Sequence, residues 1–243
     1  MFDFFTRKST KKPLAWPVDM HSHLIPGIDD GARTADDAIA ILRFMRELGI
    51  NRWWTTPHVF PDYYRNTPQT IRDGLAVLKK RMGEVGESFD VSVAAEYYLD
   101  EELIRTIRSG EEMLTLGGRH LLFETTMLAE PMILENMIFE ACCRGFEPVL
   151  AHPERYDYLL GNFRRLEQLR DRGVRFQVNM LSFMGYYGAG AKRMAREMTD
   201  RKWVDFLGSD CHHLQQAEQL TGLVQDKWIH KLIDSNLLIN NSL

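Results

Sequence analysis

Residues 19–31 of the chain read DMHSHLIPGIDDG and place His21 and His23 at the end of a predicted first strand. Because these histidines are two residues apart on a strand, their side chains project from the same face and can bind one ion together. Asp29 and Asp30 follow in a loop, where a carboxylate can reach a second ion or serve only as a turn residue. Alone, the His-x-His pair is weak evidence for a metal site, since a structural histidine is the commoner explanation.

Short apolar runs alternate with longer segments of helical periodicity along the chain, which is the pattern of a parallel sheet wound by crossover helices. The fold class is therefore α/β, and a seven-stranded (β/α) barrel and an open doubly wound sheet both fit. The predicted strands lie at 18–22, 51–56, 91–95, 120–124, 147–151, 174–179 and 203–208. Two predicted helices begin after the N-caps Thr34 and Thr67. Further helices are predicted at 100–109, 131–144, 162–172 and 189–201, and a pair of helices is predicted after residue 213.

Every predicted strand ends in, or is followed by, a side chain that can bind a metal ion. In a barrel of parallel strands all the carboxyl ends lie on one face, so residues far apart in sequence converge there. Histidine is uncommon, yet five of the eight histidines in the chain occupy such positions. The residues at strand ends are His21, His23, His58, Glu96, Glu124, His152, Asn179, Asp210 and His212.

The chemistry of this set favours two or more divalent ions. Glu124 closes the apolar run LLFE, where a buried unpaired carboxylate costs several kcal/mol, so a cation partner is expected. Imidazoles and carboxylates without a required thiolate suit Mn²⁺, Fe²⁺ or Zn²⁺. Such a cluster can activate water as hydroxide near neutral pH and bind phosphate oxygens, which predicts hydrolysis.

Arg155, in the segment HPERY, follows the strand that ends before His152. Its guanidinium offers a bidentate fork that matches phosphate, and we predict that it binds the substrate phosphate. The alternative is an ion pair with a neighbouring carboxylate.

The composition indicates one folded domain, and the net charge disfavours a nucleic-acid partner. The 243 residues are 44% hydrophobic and 26% charged, which is ordinary for a globular protein of this length. The net charge of −4 lacks the basic excess that draws proteins to phosphate backbones. No apolar run is long enough to enter and cross a bilayer. We predict a basic N-terminal arm over residues 1–17 and one phosphatase domain over residues 18–243.

The cysteines indicate a reducing, cytoplasmic location. Cys142, Cys143 and Cys211 are odd in number and form no spaced framework of pairs. Cys211 is predicted to be a small packed residue. Thiolate phosphatases require an arginine six residues after their cysteine, and none of the three cysteines has one.

The segments DMHSHLIPGIDDG, TTPH, AAEYYLDE, LLFET, AHPERY and GSDCHH resemble, in this order, the PHP superfamily. They are most similar to the PHP-type bacterial protein tyrosine phosphatases encoded with capsule and exopolysaccharide genes, and the match spans residues 18 to about 215. The resemblance implies a distorted seven-stranded barrel with three divalent ions, manganese above all. It also implies a cytoplasmic phosphotyrosine substrate, on the tail of a tyrosine kinase that controls polysaccharide export.

Carried over by position, the resemblance implies three sets of ligands, of which the first two share Glu96. Arg155 would contact the phosphate. A second arginine expected soon after the last histidine is missing, since residues 214–217 read LQQA, and Arg33 or Arg65 would have to substitute. The implied sets are His21, His23, Glu96 and Asp210; Glu96, Glu124 and His152; and Asp30, His58 and His212.

Four other functions remain open from the sequence. A small-molecule phosphomonoesterase of the same superfamily, such as a histidinol phosphatase, would use the same metals. A TatD-like nuclease or an amidohydrolase also begins with His-x-His on a barrel strand. The acidic charge disfavours the nuclease, and the absence of lysine from LLFETT disfavours the amidohydrolase. An inactive binding module that docks on a kinase would not need the full set of ligands.

Overall fold

The computed structural model describes residues 16–243. Residues 1–15 of the predicted N-terminal arm therefore lie outside the described part of the chain. Trp16 is 3% exposed and packs in the hydrophobic core. The carbonyl of Pro17 accepts hydrogen bonds from the N–H groups of Asn51 and Arg52, at 3.0 and 2.9 Å. The last two residues assigned to the arm thus pack with the domain.

The described residues contain nine strands, all paired in parallel. They form a three-stranded sheet of order β1-β2-β4 and a six-stranded sheet of order β3-β5-β6-β7-β8-β9. The strands are β1 Val18–Asp19, β2 Arg52–Thr55, β3 His58–Val59, β4 Asp90–Val93, β5 Glu96–Tyr98, β6 His120–Glu124, β7 Glu147–Ala151, β8 Arg175–Asn179 and β9 Phe206–Gly208.

The structure divides the sheet more finely than the seven predicted strands, because the short strands β3 and β5 follow the predicted second and third strands, 51–56 and 91–95, after a break. Pro57 lies between β2 and β3 and has no N–H group to continue a ladder. The two breaks matter for function, because β3 then begins at His58 and β5 begins at Glu96. Backbone hydrogen bonds still pair these two chain segments through the breaks, from Ala94 N–H to the Thr55 carbonyl at 3.0 Å and from Glu96 N–H to the Pro57 carbonyl at 3.1 Å.

The chain after β9 runs beside the chain after β1. Ser22 pairs with Cys211 in a parallel bridge. The N–H of His23 donates to the carbonyl of Cys211 at 2.9 Å, and the N–H of Asp210 donates to the carbonyl of His21 at 2.8 Å. The first and last strands are therefore neighbours, which an open doubly wound sheet would not give.

The described residues contain eight α-helices, of which the first six connect strands and the last two follow β9. The predicted caps are confirmed: the hydroxyls of Thr34 and Thr67 accept hydrogen bonds from the third helical N–H of α1 and α2. None of these helices is long and apolar enough to cross a membrane. The helices are α1 Ala35–Glu47, α2 Pro68–Glu84, α3 Glu101–Ser109, α4 Leu134–Cys143, α5 Phe163–Asp171, α6 Gly188–Asp200, α7 Leu214–Gln219 and α8 Lys227–Asp234.

A C-terminal turn, Asn240–Ser242, packs against β1 and β9. The side chain of Asn240 is fully buried. Its amide NH₂ donates to the carbonyls of Val18 at 3.0 Å and Leu207 at 2.7 Å, and its oxygen accepts from the N–H of Leu207 at 3.0 Å. One side chain thus satisfies three backbone groups of the first and last strands.

Asn240→Leu should lower the free energy of unfolding by about 3 kcal/mol, because it leaves three buried backbone groups without partners. Urea unfolding at equilibrium measures this loss as a lower midpoint with an unchanged slope. Asn241→Leu, at the exposed neighbouring residue, is the matched control and should leave the midpoint within the error of the method. Equal midpoints for the two variants would contradict the role of Asn240.

Candidate metal centre

The predicted ligands meet at the carboxyl ends of the strands. They line a cleft of about 500 Å³ or lie directly beneath it. His21 and His23 are the two beneath, and both are fully buried. The seven that line the cleft are Asp30, His58, Glu96, Glu124, His152, Asp210 and His212.

The deepest group of donor atoms comes from four residues. The Nε2 atom of His21 lies 3.2 Å from Oε2 of Glu96 and 3.3 Å from Nε2 of His23. Oδ1 of Asp210 lies 3.5 Å from both imidazole nitrogens. Ligands held about 2.0–2.2 Å from a common ion are about 3.0–3.5 Å apart in tetrahedral or octahedral geometry. These four donors therefore have the spacing of one coordination shell.

His58 lies between the other two groups of donors. Its Nδ1 atom is 3.2 Å from both Oε2 of Glu96 and Oε1 of Glu124. Its Nε2 atom is 3.5 Å from Oδ1 of Asp30, and Nε2 of His212 is the same distance from that oxygen. The resemblance put His58 in the third set alone, whereas its ring contacts donors of the second set as well.

Three contacts between carboxylates and imidazoles in the cleft, those of Glu96 Oε1 and His58 Nδ1, are close but lack hydrogen-bond geometry. Oε1 of Glu96 lies 3.2 Å from Nε2 of His152. Neither this oxygen nor Nδ1 of His58 has a hydrogen-bond partner among the described residues, although both are buried. Buried donors that approach one another without hydrogen-bond geometry are expected where each points at a common ion. The residues present therefore fit divalent cations with mixed nitrogen and oxygen ligands.

Mutual electrostatics tune the charge of the deepest group. Burial disfavours a charged imidazole, but the carboxylates of Glu96 and Asp210 outweigh it and raise the pKa of His21 to about 9. Burial likewise opposes ionisation of Glu96 and Asp210, yet the neighbouring histidines hold the pKa of each carboxyl well below its usual value. These shifts favour protonated imidazoles paired with ionised carboxylates, and a bound cation has to displace protons from the imidazoles.

Three polar side chains orient the ligands from outside. Oδ2 of Asp29 lies 2.9 Å from Nδ1 of His23, so this acid is neither an isolated turn residue nor a direct member of the donor groups. The amide of Asn179 donates to Oδ2 of Asp210 at 2.7 Å. Oε1 of Gln177 lies 2.9 Å from Nδ1 of His21.

Sequence reasoning did not identify Gln177. Alternation along β8 places it on the same face as Asn179, two residues later, and that was the available signal. Its amide also donates to the Asn179 oxygen at 2.8 Å. A glutamine inside a strand predicted to be buried is the pattern that would have revealed it.

Gln177→Leu should weaken divalent metal binding by about 10- to 100-fold, the usual cost of removing a hydrogen bond that orients a ligand histidine. The substitution keeps the size of the side chain but leaves Nδ1 of His21 unpaired in a buried site. Competition with a metal indicator measures the affinity. Gln69→Leu, on the exposed first turn of α2, controls for the change in composition, and an affinity equal to that of Gln177→Leu would refute the prediction.

Arg155 forms the predicted alternative contact, an ion pair with the cluster. Its guanidinium donates to Oδ2 of Asp210 at 2.8 Å and stacks on the ring of Tyr187, 4.4 Å from the ring centroid. Oδ1 of Asp210 lies near His21 and His23, so one carboxylate oxygen contacts the histidines and the other contacts Arg155. The guanidinium also lines the cleft, and the ion pair is therefore compatible with contact to a phosphate.

Gln216 lies within the stretch that lacks the expected second arginine. Its amide donates to the Asp210 carbonyl at 2.9 Å and to the Tyr187 hydroxyl at 3.2 Å. Neither Arg33 nor Arg65 lines the metal cleft. Arg65 instead donates to the carbonyl of Pro61 in the loop after β3.

Cys211 is buried, and its thiol donates weakly to the carbonyl of His213. Burial, with help from nearby Asp19 and Asp210, raises the pKa of this thiol far above its usual value. The neutral thiol is therefore the stable form, which agrees with a packed residue and disagrees with a thiolate nucleophile.

A parallel α/β sheet whose strand ends bring buried imidazoles and carboxylates into one cleft defines a metal-dependent hydrolase of the barrel type. The sequence model of the family described as "Capsular polysaccharide synthesis, CpsB/CapC" matches residues 17–236. The chain belongs to this family, and the predicted resemblance to the capsule-type group is confirmed.

Two curated relatives are similar over most of their lengths. Tyrosine-protein phosphatase YwqE of Bacillus subtilis (strain 168) is 26% identical over 198 residues, which cover 82% of this chain and 78% of that protein. Tyrosine-protein phosphatase CpsB of Streptococcus pneumoniae is 25% identical over 202 residues, which cover 81% of this chain and 83% of that protein.

Solved structures agree with the sequence match. One solved structure matches with a TM-score of 0.77 and 26% identity. Its description reads "Crystal structures of YwqE from Bacillus subtilis and CpsB from Streptococcus pneumoniae, unique metal-dependent tyrosine phosphatases". The alignment covers 92% of this chain and 94% of that one. The lactonase Lmo2620 of Listeria monocytogenes has a TM-score of 0.51 at 10% identity, covering 94% and 89% of the two chains, and shows only a shared fold.

Proposed function

We propose that this chain is a metal-dependent phosphatase that hydrolyses phosphotyrosine on a protein. The observation that carries the proposal is the convergence of His21, His23, Glu96 and Asp210 at ligand spacing, with Arg155 on Asp210 at the edge of the same cleft. A cation cluster beside a guanidinium is suited to a phosphomonoester dianion. The tyrosine phosphatases YwqE and CpsB, 26% and 25% identical to this chain, favour phosphotyrosine over other phosphomonoesters.

We also propose that the architecture is a distorted (β/α)7 barrel. Counting β2 with β3, and β4 with β5, as two broken strands reduces the nine strands to seven. The contact between Ser22 and Cys211 then joins the last of the seven to the first. A barrel of this kind accounts for the gathering of all strand ends on one face.

The proposed cofactors are three divalent ions, with Mn²⁺ first and Fe²⁺ or Zn²⁺ as substitutes. When bound, such ions supply a nucleophile by lowering the pKa of water, and they neutralise charge on the phosphoryl oxygens. The donors proposed for them form three sets, of which the first two share Glu96 and the last two share His58. They are His21, His23, Glu96 and Asp210; Glu96, Glu124, His152 and, by its Nδ1 contact, His58; and Asp30, His58 and His212.

The side chains around the cleft have distinct proposed tasks. Arg155 binds phosphoryl oxygens and orients the ester for in-line attack, and it stabilises the charge that accumulates in the transition state. Tyr187 packs against the guanidinium at 4.4 Å and restricts its motion. Gln216, through the Asp210 carbonyl and the Tyr187 hydroxyl, ties both partners of Arg155 together. The burial of His21 and His23 keeps bulk water from the deepest donors.

The proposed partner is a phosphotyrosine-bearing polypeptide, the tail of a bacterial tyrosine kinase of capsule or exopolysaccharide synthesis. The capsular polysaccharide family to which the chain belongs supports this partner. The proposed compartment is the cytoplasm, where such a tail and unpaired cysteines both occur.

A comparison of two substrates under Mn²⁺ tests the proposed function. The protein should hydrolyse a phosphotyrosine peptide with a kcat/KM well above that for histidinol phosphate. Chelation, with metal loss confirmed by elemental analysis, should abolish turnover, and Mn²⁺ should restore it. A preference for histidinol phosphate would replace the substrate assignment, and full activity without metal would refute the mechanism.

A further inference from the structure

A second cleft opens beside the metal cleft, and we call it the flanking cleft. It has a volume of about 660 Å³ and lies between the loops after β6 and β7 and the first turn of α6. Its apolar lining comes from Met127, Leu160, Tyr187 and Ala191, and Gly190 leaves room on the helix side. None of these residues was part of the predicted site.

The flanking cleft is continuous with the metal cleft. Met127, Arg155 and Tyr187 line both, so the guanidinium proposed to bind phosphate stands at the junction. A hydrogen bond from the N–H of Asp157 to the carbonyl of Met127, at 2.9 Å, fixes the two loops that form its walls. A molecule bound to Arg155 through its phosphate has a path from the ions into the flanking cleft.

Exposed apolar side chains line this cleft or lie next in sequence to residues that line it. Leu128 is 76% exposed, Tyr186 is 49% exposed and Leu160 is 38% exposed, and each lies in a loop after the carboxyl end of a strand. Exposed apolar groups at the mouth of a site are expected where a polypeptide binds, since a small phosphomonoester would not cover them.

The first turn of α6 adds hydrogen-bond donors to the same cleft. Among the described residues no side chain caps this helix, which begins with Gly188 and Ala189. The first N–H groups of a helix have no partners within it. The N–H of Gly188 donates to the carbonyl of Gly185 at 3.0 Å, so only the N–H groups that follow it in the first turn are left for the carbonyl of an extended peptide.

We propose that the flanking cleft binds the apolar side chain of a residue next to phosphotyrosine in a polypeptide substrate. This inference rests on the proposed function and adds the chemistry of the sequence that the enzyme prefers. The phosphate lies at the metal cleft with Arg155, and the neighbouring residue packs on Met127, Leu160 and Ala191. Small aryl phosphates fill only the metal cleft and its junction.

Gly190→Leu tests the proposal by filling the cleft from the α6 side. A Cβ atom at residue 190 would lie 3.3 Å from Cδ1 of Leu160, so a longer side chain there occupies the space of the ligand. Leucine is a better helix former than glycine, and the fold should be retained. Gly83→Leu is the matched control, because a Cβ at this position of α2 meets nothing within 4 Å.

Two peptides that differ only in the residues flanking phosphotyrosine, leucine in one and glycine in the other, are compared with p-nitrophenyl phosphate. The wild-type protein should prefer the leucine peptide by about tenfold in kcat/KM, the effect expected from burying one such side chain. Gly190→Leu should abolish that preference and leave p-nitrophenyl phosphate turnover within about twofold. Fluorescence anisotropy with a non-hydrolysable version of the leucine peptide, in which phosphonomethyl-phenylalanine replaces phosphotyrosine, should show that Gly190→Leu raises the Kd by a similar factor.

Each other outcome overturns the inference in a recognisable way. Equal hydrolysis of both peptides by the wild-type protein would show that the flanking cleft does not select a side chain. A parallel loss of p-nitrophenyl phosphate turnover in Gly190→Leu would mean that the cleft holds the phenyl ring itself. Hydrolysis of histidinol phosphate without hydrolysis of either peptide would reject the proposed function, and the inference with it.

Discussion

Glu96→Gln should reduce turnover by at least about 10³-fold, equivalent to about 4 kcal/mol of transition-state stabilisation, and lower the bound metal content. Glu96 is the carboxylate that connects the donor groups. Its Oε2 lies 3.2 Å from nitrogens of both His21 and His58, and its Oε1 lies 3.2 Å from Nε2 of His152. Glutamine preserves the shape but removes the charge and places an NH₂ group among ligand atoms, so fewer ions can be held.

Elemental analysis after gel filtration and a continuous phosphatase assay in excess Mn²⁺ measure the two effects separately. Circular dichroism checks that the variant remains folded. Glu101→Gln, on the exposed first turn of α3, is the control for loss of one acidic charge. Full metal content with turnover within tenfold of the wild-type value would exclude Glu96 as the shared ligand.

The second large effect is expected for Arg155→Ala, at about 10²- to 10³-fold in kcat/KM, the size typical of losing one preorganised group that stabilises transition-state charge. Metal content should remain unchanged, because Asp210 faces the histidines through Oδ1 and Arg155 through Oδ2. Arg155→Lys should recover only part of the rate, since lysine keeps the charge but lacks the planar fork.

The ion pair with Asp210 provides the competing explanation for Arg155, and a titration with Mn²⁺ separates the two. If the guanidinium served only to position Asp210, saturating metal would restore kcat/KM in Arg155→Ala. If it binds the phosphate, the loss persists at every metal concentration. Arg108→Ala, which removes an exposed ion pair with Glu140, should behave as the wild-type protein.

Much of the local structure could be predicted because its causes are local. Thr34 and Thr67 cap their helices through hydrogen bonds to N–H groups three residues away. The alternation of apolar runs and helical periodicity located the strands to within a few residues, apart from the two breaks. The break before His58 could have been suspected at Pro57, whose missing N–H interrupts a ladder.

The sequence alone determined which residue types lie at the strand ends. It also determined that they come together, because parallel strands must place their carboxyl ends on one face. Only the tertiary structure decided that Gln177 orients His21, 156 residues away, and that Arg155 stacks on Tyr187 beside a second cleft. It also put His58 between two groups of donors. Contacts of this kind depend on how segments distant in sequence pack against one another, and the only signal they leave in the chain is the alternation that places Gln177 on the same face of β8 as Asn179.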